Sequence, residues 1–273
     1  MCRWLAYSGA PIYLEEVIVK PEHSLIDQSL HARAGAKTTN GDGFGIGWYG
    51  KGNFPGVYKT VQPAWSDDNL QGLAGQIESH LFLAHIRATT GSAVQRSNCH
   101  PFQFENWIFV HNGTIRGFDN IKRELAFAVS PALYPHIQGS TDSEVMFFLA
   151  LTFGMADDVQ NGVAKMVGFI EQVGRESGIE FPVQMSLGIS DGEFVYAFRY
   201  STEGESRSLY HSIDMAAVHE IAPASERFSD DTRAVVSEPL GDLAEAWMPV
   251  PESSFLTVAG GEVRCEEFRP ESE

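Results

Sequence analysis

The first residue with chemistry to offer is Cys2, which directly follows the initiator methionine. If Met1 is removed, one residue carries both a thiol and a free α-amine. That amine has a pKa of about 7.7 to 8.0, so it can accept the thiol proton, as in amino-terminal threonine nucleophiles. The alternative is a buried thiol in an edge strand with no chemical role, and position alone favours that alternative.

A second candidate is His111-Asn112-Gly113, which follows an apolar run. Attack of a thiolate on an amide places negative charge on the carbonyl oxygen. An Asn side-chain amide and a Gly backbone N–H can stabilise that charge as an oxyanion hole. Asn-Gly after a strand is also a common hairpin turn, and the tripeptide by itself favours the turn.

Arg87 and Asp142 could bind the charged groups of an amino-acid substrate. The planar guanidinium of Arg87 can hold an α-carboxylate through two parallel hydrogen bonds, and the alternative for Arg87 is a surface ion pair. Asp142 could accept an α-ammonium group. An acid in the first turn of a helix is, however, favoured by the helix dipole alone.

Most of the candidate site residues lie on or next to predicted strands. Apolar runs and alternation predict strands at 2–8, 44–49, 81–86, 107–110, 183–190, 193–200, 208–212, 234–237, 254–259 and 262–268. Two-residue hairpin turns are predicted at Asp191-Gly192 and Gly260-Gly261. In 44–49, glycine alternates with larger residues, so one face of this strand is bare and another segment is expected to pack closely against it.

Helices are predicted mainly in the middle of the chain. Thr141-Asp142-Ser143-Glu144 is a capping box that starts a helix through 145–153, and a second amphipathic helix ends near Gly178. An earlier helix spans 24–34, with Ser24 as its N-cap. Strands, then a helical pair, then strands indicate a layered α/β or α+β domain with one core. We expect one domain over 1–273, frayed at about 269–273.

Composition excludes several classes of protein. The 273 residues include 19 Lys+Arg and 36 Asp+Glu, a net charge of −17, which disfavours nucleic acid and anionic membranes as partners. No apolar run reaches the roughly 20 residues of a membrane span, and no signal peptide is evident. Three cysteines are too few for a disulfide framework, so we expect a cytoplasmic protein in which Cys99 and Cys265 are inert packing thiols.

Taken together, the motifs and their order resemble the class II glutamine amidotransferases. The motifs are Met1-Cys2, Asn40 to Gly45, His85-Ile86-Arg87, Asn98 to Phe102, His111-Asn112-Gly113 and Thr141 to Glu144. The resemblance covers roughly the whole chain. It is closest to the subgroup that consists of the glutaminase domain alone, which the stretch Val236 to Leu240 and Trp247 also resemble.

The resemblance implies an amino-terminal-nucleophile hydrolase fold, a four-layer αββα sandwich of class α+β with two stacked, mainly antiparallel sheets. It implies that Cys2 attacks the side-chain amide of glutamine, that its α-amine moves the proton, and that a γ-glutamyl thioester and ammonia result. The roles it implies for other residues are an oxyanion hole at Asn112 and Gly113, a carboxylate anchor at Arg87, an α-amino anchor at Asp142, a substrate contact at Thr90, and further substrate contacts among Asn40, Asp42, Gly43 and His111.

The resemblance assigns no metal and no other cofactor. His85, His100 and His111 with Cys99 lack the ligand spacing of a zinc site, so these histidines are expected to be structural. A glutaminase domain would use nearly all 273 residues, so an ammonia acceptor is expected on a separate synthase or acceptor subunit, or ammonia goes to water.

Two other functions stay open at this point. The same thioester chemistry would hydrolyse a γ-glutamyl peptide or a conjugate such as glutathione. In the other alternative, the chain is a non-catalytic glutamine-binding or regulatory subunit.

Overall fold

The computed structural model describes residues 2–33, 39–89, 91–213, 228–241 and 244–271. Within these ranges, the strands are β1 (Arg3–Tyr13), β2 (Phe44–Trp48), β3 (Gly56–Thr60), β4 (Glu78–Ile86), β5 (Phe102–Phe104), β6 (Trp107–Ile115), β7 (Val183–Ser190), β8 (Val195–Ser201), β9 (Tyr210–Ser212), β10 (Arg233–Val236), β11 (Trp247–Pro249), β12 (Ser254–Ala259) and β13 (Glu262–Glu267).

The α-helices in the same ranges are α1 (Glu15–Ile18), α2 (Leu25–His31), α3 (Asp68–Ala74), α4 (Phe118–Ala128), α5 (Asp142–Thr152) and α6 (Val159–Glu176). Short 3₁₀ turns occupy Ala64–Ser66, Arg96–Asn98, Tyr134–His136 and Ala244–Ala246.

The strands form two antiparallel sheets. The first sheet has the order β11-β9-β10-β1-β4-β2-β3, and the second has the order β13-β12-β8-β7-β6-β5. The centre of the first sheet is the long pairing of β1 with β4, in which Arg3 lies opposite Ile86. The centre of the second is the pairing of β6 with β7, in which Asn112 lies opposite Ser186.

Three apolar cores divide the molecule into four layers. The core between the sheets includes Trp4, Leu83 and Val110. Helices α1 to α3 cover the outer face of the first sheet, and α4 to α6 cover the outer face of the second. The expected four-layer αββα sandwich is confirmed.

Alternation along each strand determines which side chains enter the gap between the sheets. In β1, Trp4 and Ala6 face the gap, whereas Leu5 and Tyr7 face the helices. The bare glycine face predicted in β2 is also confirmed, because a Cβ added at Gly45 would collide with the carbonyl oxygen of His100.

Several predicted elements differ from the structure. Strand β6 does not end at Val110 but continues to Ile115, so Asn112-Gly113 lies inside a strand and the hairpin interpretation of this pair is wrong. The prediction was local, whereas the continuous pairing of β6 with β7 is a long-range feature. The loop from β7 to β8 has four residues, 191–194, rather than two, because the Asp191 side chain accepts the N–H groups of Glu193 and Phe194.

The sequence patterns missed β3, α1, α3 and α4, together with the short strands β5 and β11. In the described ranges, α2 ends at His31 rather than at 34. Cys99 is fully buried as expected, but Cys265 is exposed on β13, so the prediction that it packs in a core is wrong. No helix in these ranges has both the length and the apolar character needed to cross a membrane.

Candidate active site

Cys2 immediately precedes β1 and lies against the residues that follow β4. Its thiol donates to the carbonyl oxygen of Ala88 at 3.5 Å, and the Ala88 N–H donates to Sγ at 3.4 Å. Arg87 is the preceding residue, so the pairing of β1 with β4 brings the candidate nucleophile next to the candidate carboxylate anchor.

The surroundings of Cys2 keep its thiol protonated. Burial raises the pKa of this thiol above its ordinary value, and the Asp142 charge adds to that rise. The hydrogen bond from Ala88 and the guanidinium of Arg87 act in the opposite direction but do not cancel the effect of burial. A protonated thiol needs a general base before it can attack, and the free α-amine expected after removal of Met1 would be one.

Asn112 enters the gap between the sheets from the opposite side. Val110, two positions earlier on β6, packs in the intersheet core, so Asn112 faces the same way. Trp4 Nε1 donates to Ser186 Oγ at 2.9 Å, and Ser186 is the β7 partner of Asn112. Cys2 and Asn112 therefore lie at the same end of the gap.

The Asn112 side chain is only 3% exposed, yet its amide forms no hydrogen bond within the described ranges. Most buried side-chain amides have a partner. An unpaired amide donor at the same end of the gap as a thiol is the arrangement that an oxyanion hole requires.

The backbone N–H of Gly113 is also available. The Ile115 N–H donates to Asp142 Oδ2 at 2.8 Å and not to β7. Since N–H groups alternate between the two sides of an antiparallel strand, the Gly113 N–H, two positions earlier, also points away from β7. On that edge β5 pairs with β6 only as far as Phe109, so the described residues leave the Gly113 N–H at an open edge.

Gly113 must remain a glycine for steric reasons. A Cβ added there would collide with the carbonyl oxygen of Gln184 and with the imidazole of His111. The close packing of these groups fixes the backbone beside Asn112.

Arg87 is 3% exposed and is held by neutral oxygen atoms. Its Nη2 donates to Ser92 Oγ at 2.7 Å and to the Ala93 carbonyl oxygen at 3.0 Å, and Nη1 donates to the Asp42 carbonyl oxygen at 3.4 Å. Within the described ranges no carboxylate forms an ion pair with Arg87, so the surface ion pair considered from the sequence is wrong. The guanidinium keeps an uncompensated positive charge.

Asp142 begins α5 and is held by the residues around it. Its Oδ1 accepts the Ser143 N–H at 2.8 Å, and its Oδ2 accepts the Ile115 N–H at 2.8 Å. The Thr141 hydroxyl caps the helix by accepting the Glu144 N–H at 3.3 Å. The Glu144 carboxylate, however, accepts the N–H groups of Gln138 and Gly139, so the reciprocal half of the predicted capping box is wrong.

A cavity of about 590 Å³ opens beside Asp142. Its walls include Ser92 and Ala93, which hold Arg87, together with Thr114 and Arg116 at the end of β6. The cavity thus lies between the segment that supports the carboxylate anchor and the start of α5.

The remaining candidate residues contact the backbone segments around the site. The Asp42 carboxylate accepts the Thr89 N–H at 2.8 Å, which fixes the backbone after Arg87. The Asn40 amide donates to the Gln28 carbonyl oxygen of α2. Gly43 has a φ of +126°, and an added Cβ would lie 2.6 Å from Cys99 Sγ. Thr90 lies outside the described residues.

Three buried histidines lie in or next to the gap between the sheets. Burial lowers the pKa of His85 to about 3 and also lowers the pKa values of His100 and His111, so all three are neutral at neutral pH. The His85 and His100 rings are 4.0 Å apart, and His111 Nδ1 lies 2.8 Å from Ser143 Oγ on the α5 side. Within the described ranges, no group of three or more potential ligands is arranged to hold a metal ion.

The sequence patterns did not identify one functional candidate, Arg207. Arg207 lies between β8 and β9, and its buried Nε has no hydrogen-bond partner in the part of the chain that the structure describes. Acidic residues outnumber basic residues in this chain, so each arginine is a possible anion-binding residue. Nothing in the sequence next to residue 207, however, distinguishes it from an arginine in an ion pair.

Comparison with known proteins agrees with this geometry. The family model for class II glutamine amidotransferases matches residues 16–271. The chain belongs to the class II glutamine amidotransferases. The "Probable glutamine amidotransferase DUG3" of Saccharomyces cerevisiae is 33% identical over 292 residues, with 94% of this chain and 82% of the yeast protein covered.

Two further relatives cover nearly all of this glutamine amidotransferase. The "Gamma-glutamyl-hercynylcysteine sulfoxide hydrolase" of Mycolicibacterium smegmatis is 31% identical over 266 residues, 96% of this chain and 98% of that protein. The solved structure of a glutamine aminotransferase class-II domain protein from Silicibacter pomeroyi has a TM-score of 0.77 and 32% identity, covering 99% of this chain and 100% of the other. These relatives support an enzyme and not a non-catalytic subunit.

Proposed function

We propose that this class II amidotransferase hydrolyses the side-chain amide of glutamine through a γ-glutamyl thioester on Cys2. Ammonia then goes to water or to an acceptor on another polypeptide. One observation carries the proposal: a half-buried thiol lies at the end of the intersheet gap where, among the described residues, the Asn112 amide and the Gly113 N–H have no partner.

In the first half-reaction, the Cys2 thiol proton passes to its α-amine as sulfur bonds to the amide carbon. Asn112 and Gly113 donate to the oxyanion that forms on the carbonyl oxygen. The protonated amine then gives its proton to the leaving nitrogen, the carbon–nitrogen bond breaks, and ammonia and the thioester result.

In the second half-reaction, the α-amine takes a proton from water, and the oxygen of that water attacks the thioester carbon. The carbon–sulfur bond breaks, the proton returns to sulfur, and glutamate leaves. Throughout, Arg87 would hold the α-carboxylate and Asp142 the α-ammonium group, so the reacting carbonyl is placed by both ends of the amino acid.

The test compares cysteine variants after intact-mass measurement has shown that Met1 is absent. Cys2→Ala is expected to lower ammonia release from glutamine by at least about 10⁴-fold, with an unchanged circular dichroism spectrum and melting temperature. Cys265→Ala, at the exposed cysteine on β13, is the matched control and is expected to keep wild-type activity. Turnover by Cys2→Ala near the wild-type rate would refute the proposal.

A second candidate substrate is a γ-glutamyl peptide or conjugate. Two observations favour it: the relative named as a γ-glutamyl conjugate hydrolase, and the cavity of about 590 Å³ beside Asp142. The thioester chemistry is the same, and only the leaving group differs. Rates measured for glutamine, γ-glutamyl dipeptides and glutathione would separate the two.

Three other parts of the proposal concern organisation. We propose one glutaminase domain over residues 1–273, a frayed end at about 269–273, which lies partly outside the described residues, and a cytoplasmic location. Co-purification with a synthase subunit would identify an acceptor for ammonia.

A further inference from the structure

Arg207 lies on a backbone segment that is fixed on both sides. Ser206 Oγ donates to Glu252 Oε2 at 2.6 Å, and Ser208 Oγ donates to the Ser237 carbonyl oxygen at 2.8 Å. Ser237 in turn pairs with the start of β1, because its N–H donates to the Trp4 carbonyl oxygen at 3.0 Å. The segment therefore runs beside the strand that begins at the nucleophile.

Among the described residues, the guanidinium of Arg207 has neither a hydrogen-bond nor an ion-pair partner. Its Nε is buried without a hydrogen bond, and its terminal nitrogens form none within the described ranges. Neighbouring arginines differ: Arg3 pairs with Glu238, Arg116 with Glu203, and Arg199 lies 3.4 Å from Glu252. In a chain with 17 more acidic than basic residues, an unpaired and half-buried arginine is unusual.

The segment of Arg207 also borders the gap between the sheets, because Leu209, two positions later, packs in the intersheet core. Burial lowers the pKa of Arg207, the Cys2 thiol counteracts this, and Arg3 and Arg116 lower the pKa further. Arg116 lines the cavity beside Asp142. The segment that carries Arg207 thus reaches the start of β1 from the β8–β9 connection, whereas Arg87 follows β4 and Asp142 begins α5.

A second arginine on a segment beside the start of β1 needs a different role from Arg87. Arg87 already lowers the pKa of the thiol and would hold the α-carboxylate of the γ-glutamyl group. The α-ammonium group would lie at Asp142. Free glutamine has no other anionic group, because its leaving group is ammonia. An unpaired guanidinium on a separate segment beside the start of β1 therefore fits an anion carried by a larger leaving group.

We propose that Arg207 is a specificity-determining residue that binds a carboxylate on the leaving group of a γ-glutamyl substrate. The preferred substrate class is then a γ-glutamyl amide of an amino acid or peptide, and free glutamine is a poorer substrate. This inference rests on the thioester chemistry proposed for Cys2 and adds only the recognition of the departing amine.

The test uses two substrates that differ in one charge, γ-glutamylglycine and γ-glutamylglycinamide. The wild-type enzyme is expected to favour the acid in kcat/KM by about 10- to 100-fold, the range for a hydrogen-bonded charge. Arg207→Gln is expected to abolish most of this preference, mainly by weakening turnover of the acid. Arg207→Lys keeps the charge without the planar fork and is expected to retain part of it.

Arg264→Gln is the matched control, because Arg264 is an exposed arginine on β13 that pairs with Glu262. It is expected to keep the wild-type preference. Equal rates for both substrates in the wild-type enzyme would overturn the proposal. So would an equal loss on both substrates in Arg207→Gln, since that would mean that Arg207 acts on Cys2 or on the fold.

Binding to Cys2→Ala protein separates this proposal from the chemistry on which it rests. Calorimetry is expected to show tighter binding of γ-glutamylglycine than of its amide, and the difference is expected to disappear when Arg207→Gln is added. If this binding difference is found but the wild-type enzyme turns over neither compound, the thioester chemistry is refuted and the binding of the leaving-group carboxylate by Arg207 is retained. Equal binding of both compounds would refute the role of Arg207.

Discussion

Arg3 and Arg87 are both almost fully buried and lie on or beside the paired strands β1 and β4, but their partners differ in charge. Arg3 faces the helices and donates to Glu238 at 2.6 and 2.7 Å. Arg87 faces the gap between the sheets and is held by Ser92 Oγ and the Ala93 carbonyl oxygen. A carboxylate neutralises the charge of Arg3, whereas the contacts of Arg87 fix its orientation and leave its charge without a counter-charge.

The difference separates a structural arginine from a binding arginine. Burying a charge without a counter-charge is costly, so an arginine placed for stability alone acquires a carboxylate. Neutral acceptors fix the orientation of Arg87 but leave its charge free to attract an anion. A buried arginine whose partners are all neutral therefore marks a place where a ligand supplies the missing charge.

The largest effect is expected on stability at Arg3. Arg3→Met removes the arginine of the ion pair while the Glu238 carboxylate stays buried with its hydrogen bonds from His23 and the Arg33 amide, and the free energy of unfolding is expected to fall by about 3 to 5 kcal/mol in urea titrations. The double variant Arg3→Met with Glu238→Leu removes both charges and is expected to recover most of the loss. A single variant that loses less than about 1 kcal/mol would show that the ion pair is not structural.

A somewhat smaller effect is expected on catalysis at Arg87. Arg87→Met is expected to lower kcat/KM for glutamine by about 100- to 1,000-fold, since the substrate carboxylate loses a charged donor in a buried site. Its loss of stability is expected to be well below that of Arg3→Met, because no buried carboxylate is left behind. A variant that unfolds as easily as Arg3→Met but retains its kcat/KM would contradict the comparison.

The smallest effect is a pH dependence of stability. Burial alone would raise the pKa of Glu238, but hydrogen bonds from His23 and the Arg33 amide and the charge of Arg3 hold it at about 2, below its ordinary 4.5. A carboxylate with a lowered pKa stabilises the fold above its unfolded pKa and loses that contribution as the pH falls toward its folded pKa.

Of the resulting contribution of about 3 kcal/mol at pH 7, about 2 kcal/mol is expected to be lost by pH 3. The measurement is the difference in unfolding free energy between wild type and Glu238→Gln, which should shrink by that amount between the two pH values. For Arg87→Met the corresponding difference should stay constant, because Arg87 has no carboxylate partner in the described ranges. A constant difference for Glu238→Gln would show that the carboxylate is not stabilised in its charged form.

Local sequence patterns predicted elements whose determinants are close together in the chain. β7 and β12 have the predicted bounds, and the predicted turn at Gly260-Gly261 joins β12 to β13, with φ values of +53° and +78°. Helix α4 was missed although its signal was present, since Ile121 and Leu125 stand at helical spacing and are both fully buried.

The site was predictable only in part, because its decisive features depend on residues far apart in sequence. Motif resemblance identified Arg87 and Asn112 as candidates. It could not show that Asn112-Gly113 is inside a strand, which depends on the pairing of β6 with β7. Nor could it show which arginines have carboxylate partners, since Arg3 and Glu238 are 235 residues apart.

The gap between the sheets determines how far apart the reacting groups lie. Cys2 directly precedes a strand of one sheet and Asn112 lies in the other, and hydrogen bonds from Trp4 to Ser186 and from His85 to the His111 carbonyl oxygen cross between the sheets. The attack distance is therefore set by the thickness of an apolar layer and not by a loop. The turnover rate should therefore depend on that thickness. If solvent or mild denaturant swells the apolar layer, the oxyanion hole moves away from sulfur and turnover falls while the secondary structure is still intact.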